Sequence, residues 1–297
     1  MRTRRRNLPD VAIAHQNDEA VAIDECLKLI HADDLITPQD VVVITPNWVK
    51  QKSPESGVVV GDQSLKKVIQ FVKSRQPRRI VVATGSAEKE TTEIGQNTGL
   101  SAVLAEEGVE FIDLNHGPFT RTNLNHDRPN ATNLNVLYNE MTFLISFTQM
   151  KMHEEATMSA AIKNIALGWP PAEEHGHPKK SLGIHDRLHG FIKAMAEIFP
   201  IDLSIVSASP AMIGTGPSKG VPRSTGLVIA GTDPVSVDTV AARFLGFKPQ
   251  AVQYLYECAN MGLGIGDVQS MNMQGIALKD AEEIFSNAAY GARVVID

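Results

Sequence analysis

The chain has few of the features that mark metal-cluster, secreted or membrane proteins. Its 297 residues include two cysteines, Cys26 and Cys258, too few for a disulfide framework or a four-thiolate cluster. Both lie in helix-like stretches with apolar neighbours, which favours buried structural thiols. No apolar run approaches the ~20 residues that a membrane-spanning helix needs. We therefore expect no iron–sulfur cluster and no membrane partner.

The chain also lacks an excess of positive charge. Its formal net charge of -6 gives no electrostatic footprint for nucleic acid. The one basic cluster, at residues 2–6, is not followed by an apolar stretch and does not resemble a signal peptide. We predict that residues 1–10 form a solvated, disordered tail. The expected location is the cytoplasm, with no nucleic-acid partner.

Strand-like and helix-like segments alternate along the chain. Residues 40–45 and 79–84 are short continuous apolar runs, typical of buried parallel strands. Between them, residues 62–74 carry apolar side chains at the spacing of one helix face. This alternation predicts an α/β fold with a mostly parallel sheet and helices on both faces.

A polar, asparagine-rich stretch at residues 115–139 interrupts this alternation and is predicted to be a loop or a small excursion. Two arrangements stay open. In the first, the chain forms two α/β lobes with a cleft between them, at residues 11–140 and 141–297, and the second lobe carries most site residues. In the second, the chain is one continuous domain. For the second half we predict strands over 142–147, 201–206, 226–230 and 293–296, and helices over 157–167, 185–199, 235–245, 250–261 and 279–288.

Reactive side chains lie where these predicted elements end. Lys151 and His153 end a strand and point to the same side, because strand side chains alternate. Together they could bind a carboxylate or phosphate, His153 could ligate a metal, or the strand could simply run into solvent. Lys163 lies beside the apolar face of a predicted helix. The methylene groups of its side chain can therefore pack along the core while its amine reaches the end of the sheet where the site is expected. Asn164 is a poor helix former that nothing local requires.

Seven of the nine histidines lie between His116 and His189, which keeps metal binding and acid–base chemistry open. His185 and His189 have the one-turn spacing of paired metal ligands on a helix. No glutamate follows the first of them as in a zincin, and each could instead be a core histidine. The candidates for a divalent metal are His153, His185, His189 and Asp238.

A glycine-rich loop at residues 214–220 follows a predicted strand. Its glycines would let backbone N–H groups approach an anion, with a lysine alongside. The lysine spacing excludes a P-loop, and Pro217 and Pro222 exclude a dinucleotide-binding helix. The alternative is a plain turn. The candidate anion-binding residues here are Gly214, Gly216, Lys219 and Gly220.

Two aspartates accompany the helix predicted over 235–245. Asp233 precedes Pro234, the pattern of an N-cap followed by proline in the first turn, and we favour that structural role over a catalytic one. Asp238 lies at the edge of the buried helix face. A carboxylate there must be paired or functional, since burying it alone is costly.

Taken together, these motifs resemble domain-of-unknown-function family 362. The resemblance is carried by residues 44–49, 151–153, 161–164, 214–217, Gly220 and 230–238. It implies an α/β protein related to iron–sulfur-associated proteins of unassigned activity, some of which carry a ferredoxin-like cluster domain. This chain has no Cys-x-x-Cys run, so cluster binding and electron transfer are not carried over. The site residues that the resemblance suggests are Asn47, Lys151, His153, Lys163, Asn164, Asp233 and Asp238.

The leading hypothesis is an enzyme that acts on a small anionic metabolite. Lys151, Lys163 and the loop at 214–220 would hold the anion. His153 or His185 would be the general acid or base, and Asp238, alone or with Asp233, would orient it or hold a divalent cation. The alternatives are a non-catalytic anion or metal sensor and an accessory protein related to iron–sulfur proteins. Whether the chain forms a homo-oligomer stays open.

Overall fold

A computed structural model describes residues 2–296. Met1 and Asp297, which belong to the predicted tail and C-terminal lobe, lie outside the described residues. The strands are β1 (Asp10–His15), β2 (Val41–Pro46), β3 (Arg79–Thr84), β4 (Glu110–Asp113), β5 (Phe119–Asn123), β6 (Ala131–Asn135), β7 (Phe143–His153), β8 (Thr157–Ser159), β9 (Leu203–Ile213), β10 (Val221–Arg223), β11 (Leu227–Gly231) and β12 (Asn272–Gly275).

The α-helices are α1 (Glu19–Leu29), α2 (Asp62–Ser74), α3 (Thr91–Asn97), α4 (Leu100–Glu107), α5 (Leu137–Glu140), α6 (Ala161–Gly168), α7 (Ala172–His175), α8 (Leu188–Ile198), α9 (Pro234–Phe244), α10 (Gln253–Asn260) and α11 (Leu278–Tyr290). Short 3-10 turns lie at Ala32–Asp34, Pro54–Ser56, Ser181–Gly183, Pro249–Ala251 and Val268–Ser270. Among residues 2–296, no helix combines the length and the apolar character that crossing a bilayer requires.

Ten of these strands form one sheet in the order β12-β1-β11-β9-β7-β2-β3-β4, with β8 paired to β7 and β10 paired to β9. Along the main path, only β11 runs antiparallel to both of its neighbours. The other neighbouring pairs are parallel. The predicted α/β fold with a mostly parallel sheet is therefore confirmed.

Helices cover both faces of the sheet, as predicted. On β1, Val11 and Ile13 pack into one apolar core with residues of α6, α8, α9 and α11. The alternate residues Ala12 and Ala14 pack into a second core with residues of α1, α2 and α4. This division follows from the period of two in strand side chains.

The two halves of the chain share this sheet. β7 lies between β9 and β2, and its pairing with β2 joins Val42 to Phe143 across the proposed boundary at residue 140. A single sheet therefore contains strands from both halves of the chain. The stretch at 115–139 folds as a small excursion, a β5–β6 hairpin followed by α5.

Several boundaries differ from the predictions. β7 extends to His153 because it pairs with β8, and residues 157–159 are therefore strand, so that helix α6 begins only at Ala161. Helix α8 begins at Leu188, which leaves His185 in the preceding turn. Residues 293–296 form no strand.

The N-terminal arginines correct the prediction of a solvated tail. Each pairs with a buried aspartate beside the end of a strand, because those carboxylates need a countercharge once they are removed from water. Three of the aspartates lie at or just before the first residue of β1, β2 and β9. The fourth follows β11, which runs in the opposite direction, so all four lie at the same end of the strands. The pairs are Arg2–Asp202, Arg4–Asp233 at 3.0 Å, Arg5–Asp40 at 2.5 Å and Arg6–Asp10 at 3.0 Å.

Candidate functional site: a cluster of buried amines

Three lysines lie near the carboxyl ends of the parallel strands; Lys151 and Lys179 are buried, and Lys163 is half-buried. Lys151 lies near the end of β7, Lys163 lies in the first turn of α6, and Lys179 follows α7. Burial lowers the pKa of each amine, to about 7 for Lys151, about 8 for Lys163 and about 7 for Lys179. Carboxyl ends of strands in open α/β sheets are where such folds bind ligands.

Lys151 and Asn47 meet at one acceptor. The Lys151 Nζ atom donates to the Val58 carbonyl oxygen at 2.9 Å, and Asn47 Nδ2 donates to the same oxygen at 2.8 Å. Both side chains are only 2% exposed. The structure therefore brings together these two predicted residues, and the shared carbonyl fixes their orientation.

Lys163 has no hydrogen-bond or ion-pair partner among residues 2–296. Its charge lowers the pKa of Lys151 and of His153, while the Glu155 carboxylate raises the pKa of Lys163. Lys151 and His153 leave the same face of β7, and the charge of Lys163 acts on both. An amine without a partner, close to a buried amine, favours the binding of an anion.

His153 is held as a neutral imidazole. Its Nδ1 atom accepts the backbone N–H groups of Glu155 at 3.1 Å and Ala156 at 3.2 Å. Burial first, and then Lys163 and Lys151, lower the pKa of His153 to about 2. The proton must therefore reside on Nε2, which can donate a hydrogen bond but offers no lone pair to a proton or a metal. This geometry does not fit the predicted roles of general base and metal ligand.

A second histidine has the opposite tautomer. Glu155 Oε2 lies 2.6 Å from His185 Nδ1, and Lys180 Nζ donates to Glu155 Oε1 at 2.9 Å. A carboxylate can only accept, so Nδ1 carries the proton and Nε2 of the neutral ring has a free lone pair. Burial lowers the pKa of His185, although Glu155 raises it. Glu155 was not predicted, since it follows the strand in an ordinary polar turn.

Lys179 was also missed, because it lies in a charged loop without a recognisable motif. Its amine donates to the carbonyl oxygens of Gly85 at 2.8 Å, Leu167 at 3.2 Å and Gly168 at 3.4 Å. All three N–H groups are therefore used within the protein. Lys179 joins the end of α6 to the end of β3 and supports the cluster without being free to bind a ligand.

Asn164 anchors helix α6 to the sheet. Its Nδ2 atom donates to the Thr45 carbonyl oxygen at 2.8 Å and to Ser146 Oγ at 3.1 Å. These two bonds connect α6 with β2 and β7. Asn164 thus positions the neighbouring Lys163, and its amide nitrogen is not available to a ligand.

Asp238 belongs to α9, and its carboxylate lies at the start of helix α6. Its Oδ1 atom accepts the N–H of Ala161 at 2.8 Å and its Oδ2 atom accepts the N–H of Ile162 at 3.1 Å. Burial raises the pKa of Asp238 to about 7, against the effect of these two bonds. The predicted role of orienting a histidine or holding a cation does not fit these contacts, which are those of a helix cap supplied from α9.

Asp233 caps helix α9, as we favoured. Its Oδ1 atom accepts the N–H groups of Val235 at 2.9 Å and Ser236 at 3.1 Å. Its Oδ2 atom accepts the Ile265 N–H at 3.2 Å and pairs with Arg4. Both oxygens are occupied, so the alternative ligand-binding role of Asp233 has no free acceptor.

The glycine loop packs against the end of β7. A Cβ atom at Gly216 would lie 1.8 Å from the Met152 carbonyl oxygen, and the Gly216 carbonyl accepts the Glu154 N–H at 3.2 Å. A Cβ atom at Gly220 would lie 2.4 Å from the Ile213 carbonyl oxygen, and Gly214 has a φ of +78°. Close packing and turn geometry thus account for the three glycines. Lys219 is exposed on this loop.

His189 is half-buried, and both the Glu155 backbone and the charge of Lys163 influence its pKa. Its Nδ1 atom accepts the Tyr254 N–H at 3.2 Å, and the two rings stack with centroids 5.9 Å apart. Because His185 precedes the helix, the predicted one-turn pair of metal ligands does not form. The Nδ1 lone pair of His189 is used by the Tyr254 N–H, and stacking on Tyr254 holds the ring in place.

Among residues 2–296, one further group of side chains has the composition of a metal site. Ligand atoms of Glu90, Asp113 and His116 lie within 4.8 Å of one another. His116 Nδ1 also lies 2.6 Å from Glu173, and this carboxylate and that of Glu90 raise the pKa of His116 to about 9. A protonated imidazole is a countercharge for the carboxylates, and it opposes the binding of a cation.

A cavity of about 450 Å³ also lies elsewhere, between α9, α10 and the turn at Val268–Ser270. Its lining mixes cationic, amide and apolar side chains, including Arg243, Lys248 and Leu255. None of the clustered amines or histidines contributes to it. The convergence of buried titratable groups, and not the volume of a cavity, identifies the candidate site.

The family model described as "Domain of unknown function (DUF362)" matches residues 42–243. The chain belongs to this family. The matched range contains every residue of the amine cluster. The resemblance seen in the sequence motifs is thereby confirmed, and the family description assigns no reaction.

Two further comparisons accompany this assignment. The chain is 23% identical over 234 residues to the thylakoid-associated protein sll1697 of Synechocystis, covering 77% of this chain and 70% of that protein. It is also similar to the lactate racemase apoprotein from Thermoanaerobacterium thermosaccharolyticum, with a TM-score of 0.47 and 14% identity over 82% of this chain. The chain spans 58% of the length of that structure.

Proposed function

We propose that this protein is an enzyme that binds a small carboxylate or phosphate at the amine cluster and transfers a proton to or from it. The observation that carries the proposal is the amine of Lys163, which has no partner among residues 2–296 and whose charge lowers the pKa of Lys151 and of His153. Two ammonium groups and an N–H donor form an electropositive site. An anion would relieve the repulsion between the amines.

His153 supports binding in this proposal and not proton transfer. Its Nε2–H donates to the anion, while the two backbone N–H groups on Nδ1 keep the ring in that tautomer. The donor is held in place before the ligand arrives, so little orientation is lost on binding. This assignment replaces the acid–base role that the sequence had suggested for His153.

Proton transfer is assigned to His185 and Lys163. His185 Nε2 is the acceptor, with Glu155 orienting the ring and stabilising the imidazolium that forms. Lys163 is the complementary acid, because a pKa of about 8 lets its amine donate and recover a proton near neutral pH. If a divalent metal assists, the free lone pair of His185 Nε2 is the ligand atom this cluster supplies.

The test is a screen of small carboxylates and phosphates for binding by calorimetry and for turnover by NMR. We expect Lys163→Met to weaken anion binding at least tenfold, and His185→Gln to retain binding while abolishing turnover. The control is Lys28→Met, because Lys28 is exposed on α1 and pairs only with Asp24. Unchanged binding in Lys163→Met overturns the proposal. Binding without any new species in the wild-type protein would instead favour the sensor.

A further inference from the structure

Gln149 is a buried glutamine whose amide has no partner. Its side chain is 0% exposed, and neither Nε2 nor Oε1 has a hydrogen-bond partner among residues 2–296. Leaving a buried amide unpaired is costly, and an apolar side chain of similar volume would avoid that cost. An unpaired amide of this kind points to a ligand.

The position of Gln149 places its amide beside the amine cluster. Gln149, Lys151 and His153 alternate along β7, so their side chains leave the same face of the strand. Met150, between the first two, packs into the opposite core. Gln149 therefore lies two residues before Lys151, whose amine we assign to anion binding, and on the same face of the strand.

Two more unpaired oxygens lie on either side of Gln149. Asn47, whose N–H donates to the Phe147 carbonyl on β7, has a buried Oδ1 atom without a partner. On the other side, Ser207 of β9 lies opposite Gln149 in the sheet register. Burial raises the pKa of the Glu19 carboxyl, and the Ser207 hydroxyl lowers it. Glu19 Oε1 is also buried and unpaired.

These unpaired atoms indicate the chemistry of the ligand. Three are acceptor oxygens, from Asn47, Gln149 and Glu19, and one is the donor nitrogen of Gln149. A ligand that satisfies them must mainly donate hydrogen bonds. Ammonium groups are disfavoured next to the Lys151 amine by like-charge repulsion. Hydroxyl groups both donate and accept, and they carry no charge.

We infer that Gln149, Asn47 and Glu19 recognise the hydroxyl groups of an anionic substrate whose charged group lies against Lys151 and Lys163. The substrate class is a small hydroxylated anion, either a hydroxy acid or a polyol phosphate. This inference rests on the proposed function, because it assigns the anionic end of the ligand to the same lysines. Asn47 and Lys151 are already oriented by the Val58 carbonyl, so this part of the site is preorganised.

The experiment compares anions that differ only in their hydroxyl groups, by calorimetry: glycerate with propionate, malate with succinate, and glycerol phosphate with propyl phosphate. The wild-type protein should prefer the hydroxylated member of at least one pair by tenfold or more. Gln149→Met should reduce that preference to about twofold and leave the affinity for the deoxy anion unchanged. Gln70→Met is the matched control, since Gln70 is exposed on α2.

A second variant and a stability measurement guard against misfolding. Gln149→Met should keep or raise Tm in the absence of ligand, because it removes two unpaired polar atoms. A lower Tm would mean that only trapped water satisfies the amide, and it would overturn the inference. Glu19→Gln replaces a carboxylate acceptor by an amide of the same shape and should lower the preference for the hydroxylated anion several-fold. If Gln149→Met does not fold, the result for Glu19→Gln alone tests the hydroxyl recognition.

The two proposals fail separately. If the wild-type protein binds both members of a pair equally, or if both variants keep the full preference, the hydroxyl recognition is refuted while anion binding stands. If the wild-type protein binds none of these anions and none of the simpler carboxylates or phosphates, the proposed function fails, and this inference fails with it.

Discussion

The carboxylate of Glu155 lies 2.6 Å from Nδ1 of His185, while its other oxygen accepts the Lys180 amine at 2.9 Å. This arrangement fixes the imidazole tautomer and exposes the Nε2 lone pair. The neighbouring His153 has the opposite tautomer, because backbone N–H groups occupy its Nδ1 atom. The two histidines are therefore chemically distinct, although both border the same lysines.

Glu155→Gln should lower turnover by about 10–100-fold while changing anion affinity little, since a partner that orients a reactive imidazole contributes on this scale. The measurement is steady-state kinetics on a substrate found by the anion screen. Glu154→Gln, at the adjacent exposed glutamate, is the matched control. Equal turnover in Glu155→Gln and wild type would refute the assignment of His185 as the proton acceptor.

His153 should remain neutral far below the usual range of histidine. Burial and the nearby amines lower the pKa of His153 to about 2, so its ring should show the Nε2–H tautomer throughout neutral and mildly acid pH. Because the unfolded imidazole takes up a proton near its ordinary pKa of 6.5, this group's contribution to stability is lost progressively as the pH falls below 6.5. Nitrogen NMR of the imidazole checks the tautomer, and a ring protonated at pH 5 would contradict it.

Anion affinity should fall as the pH rises. Burial lowers the pKa of Lys151 to about 7 and that of Lys163 to about 8, so both amines lose their charge between pH 6 and 9. Affinity should be highest at the acid end and fall by up to about tenfold per pH unit once an amine is mostly neutral. Calorimetry with one bound anion at several pH values tests this, and a flat profile would show that the amines do not hold the anion.

Asp238→Ala should destabilise the fold by about 2–4 kcal/mol, because the first two N–H groups of α6 lose their acceptors inside the core. Denaturant unfolding measures this. Asp238→Asn, which keeps one oxygen acceptor, should cost less. Burial raises the pKa of Asp238 from 3.8 to about 7, so the stability that its protonated form contributes is lost as the pH rises between those values. Full stability of the alanine variant would rule out the cap.

Arg4→Ala should lower the free energy of unfolding by about 1–3 kcal/mol, because Asp233 is 1% exposed and would lose its countercharge while keeping its N–H donors. The control is Arg187→Ala, whose pair with Asp127 is exposed on both sides and should contribute little. Thermal unfolding of the two variants provides the comparison. Equal Tm values for both would mean that the N-terminal arginines are solvated after all.

Some features of the site were visible in the sequence and others were not. The alternation of Lys151 and His153 on a strand, and the position of Lys163 beside the apolar face of a helix, predicted that reactive groups gather at the ends of elements. The roles of Glu155, Lys179 and Gln149 could not be predicted. The role of each depends on the atoms that it contacts, or fails to contact, after folding. The neighbouring residues in the sequence do not indicate whether a charged or amide side chain in a turn or strand will be buried.

The sequence by itself determined the α/β class, the mostly parallel sheet and the helix cap at Asp233, because apolar periodicity and capping depend on residues close together in the chain. Only the tertiary structure decided that both halves share one sheet, that the N-terminal arginines pair with buried aspartates, and that Asp238 caps a helix more than 70 residues away. It also decided the tautomers of His153 and His185. These properties depend on contacts between distant segments, and burial and charge can be assigned to a side chain only when those segments meet.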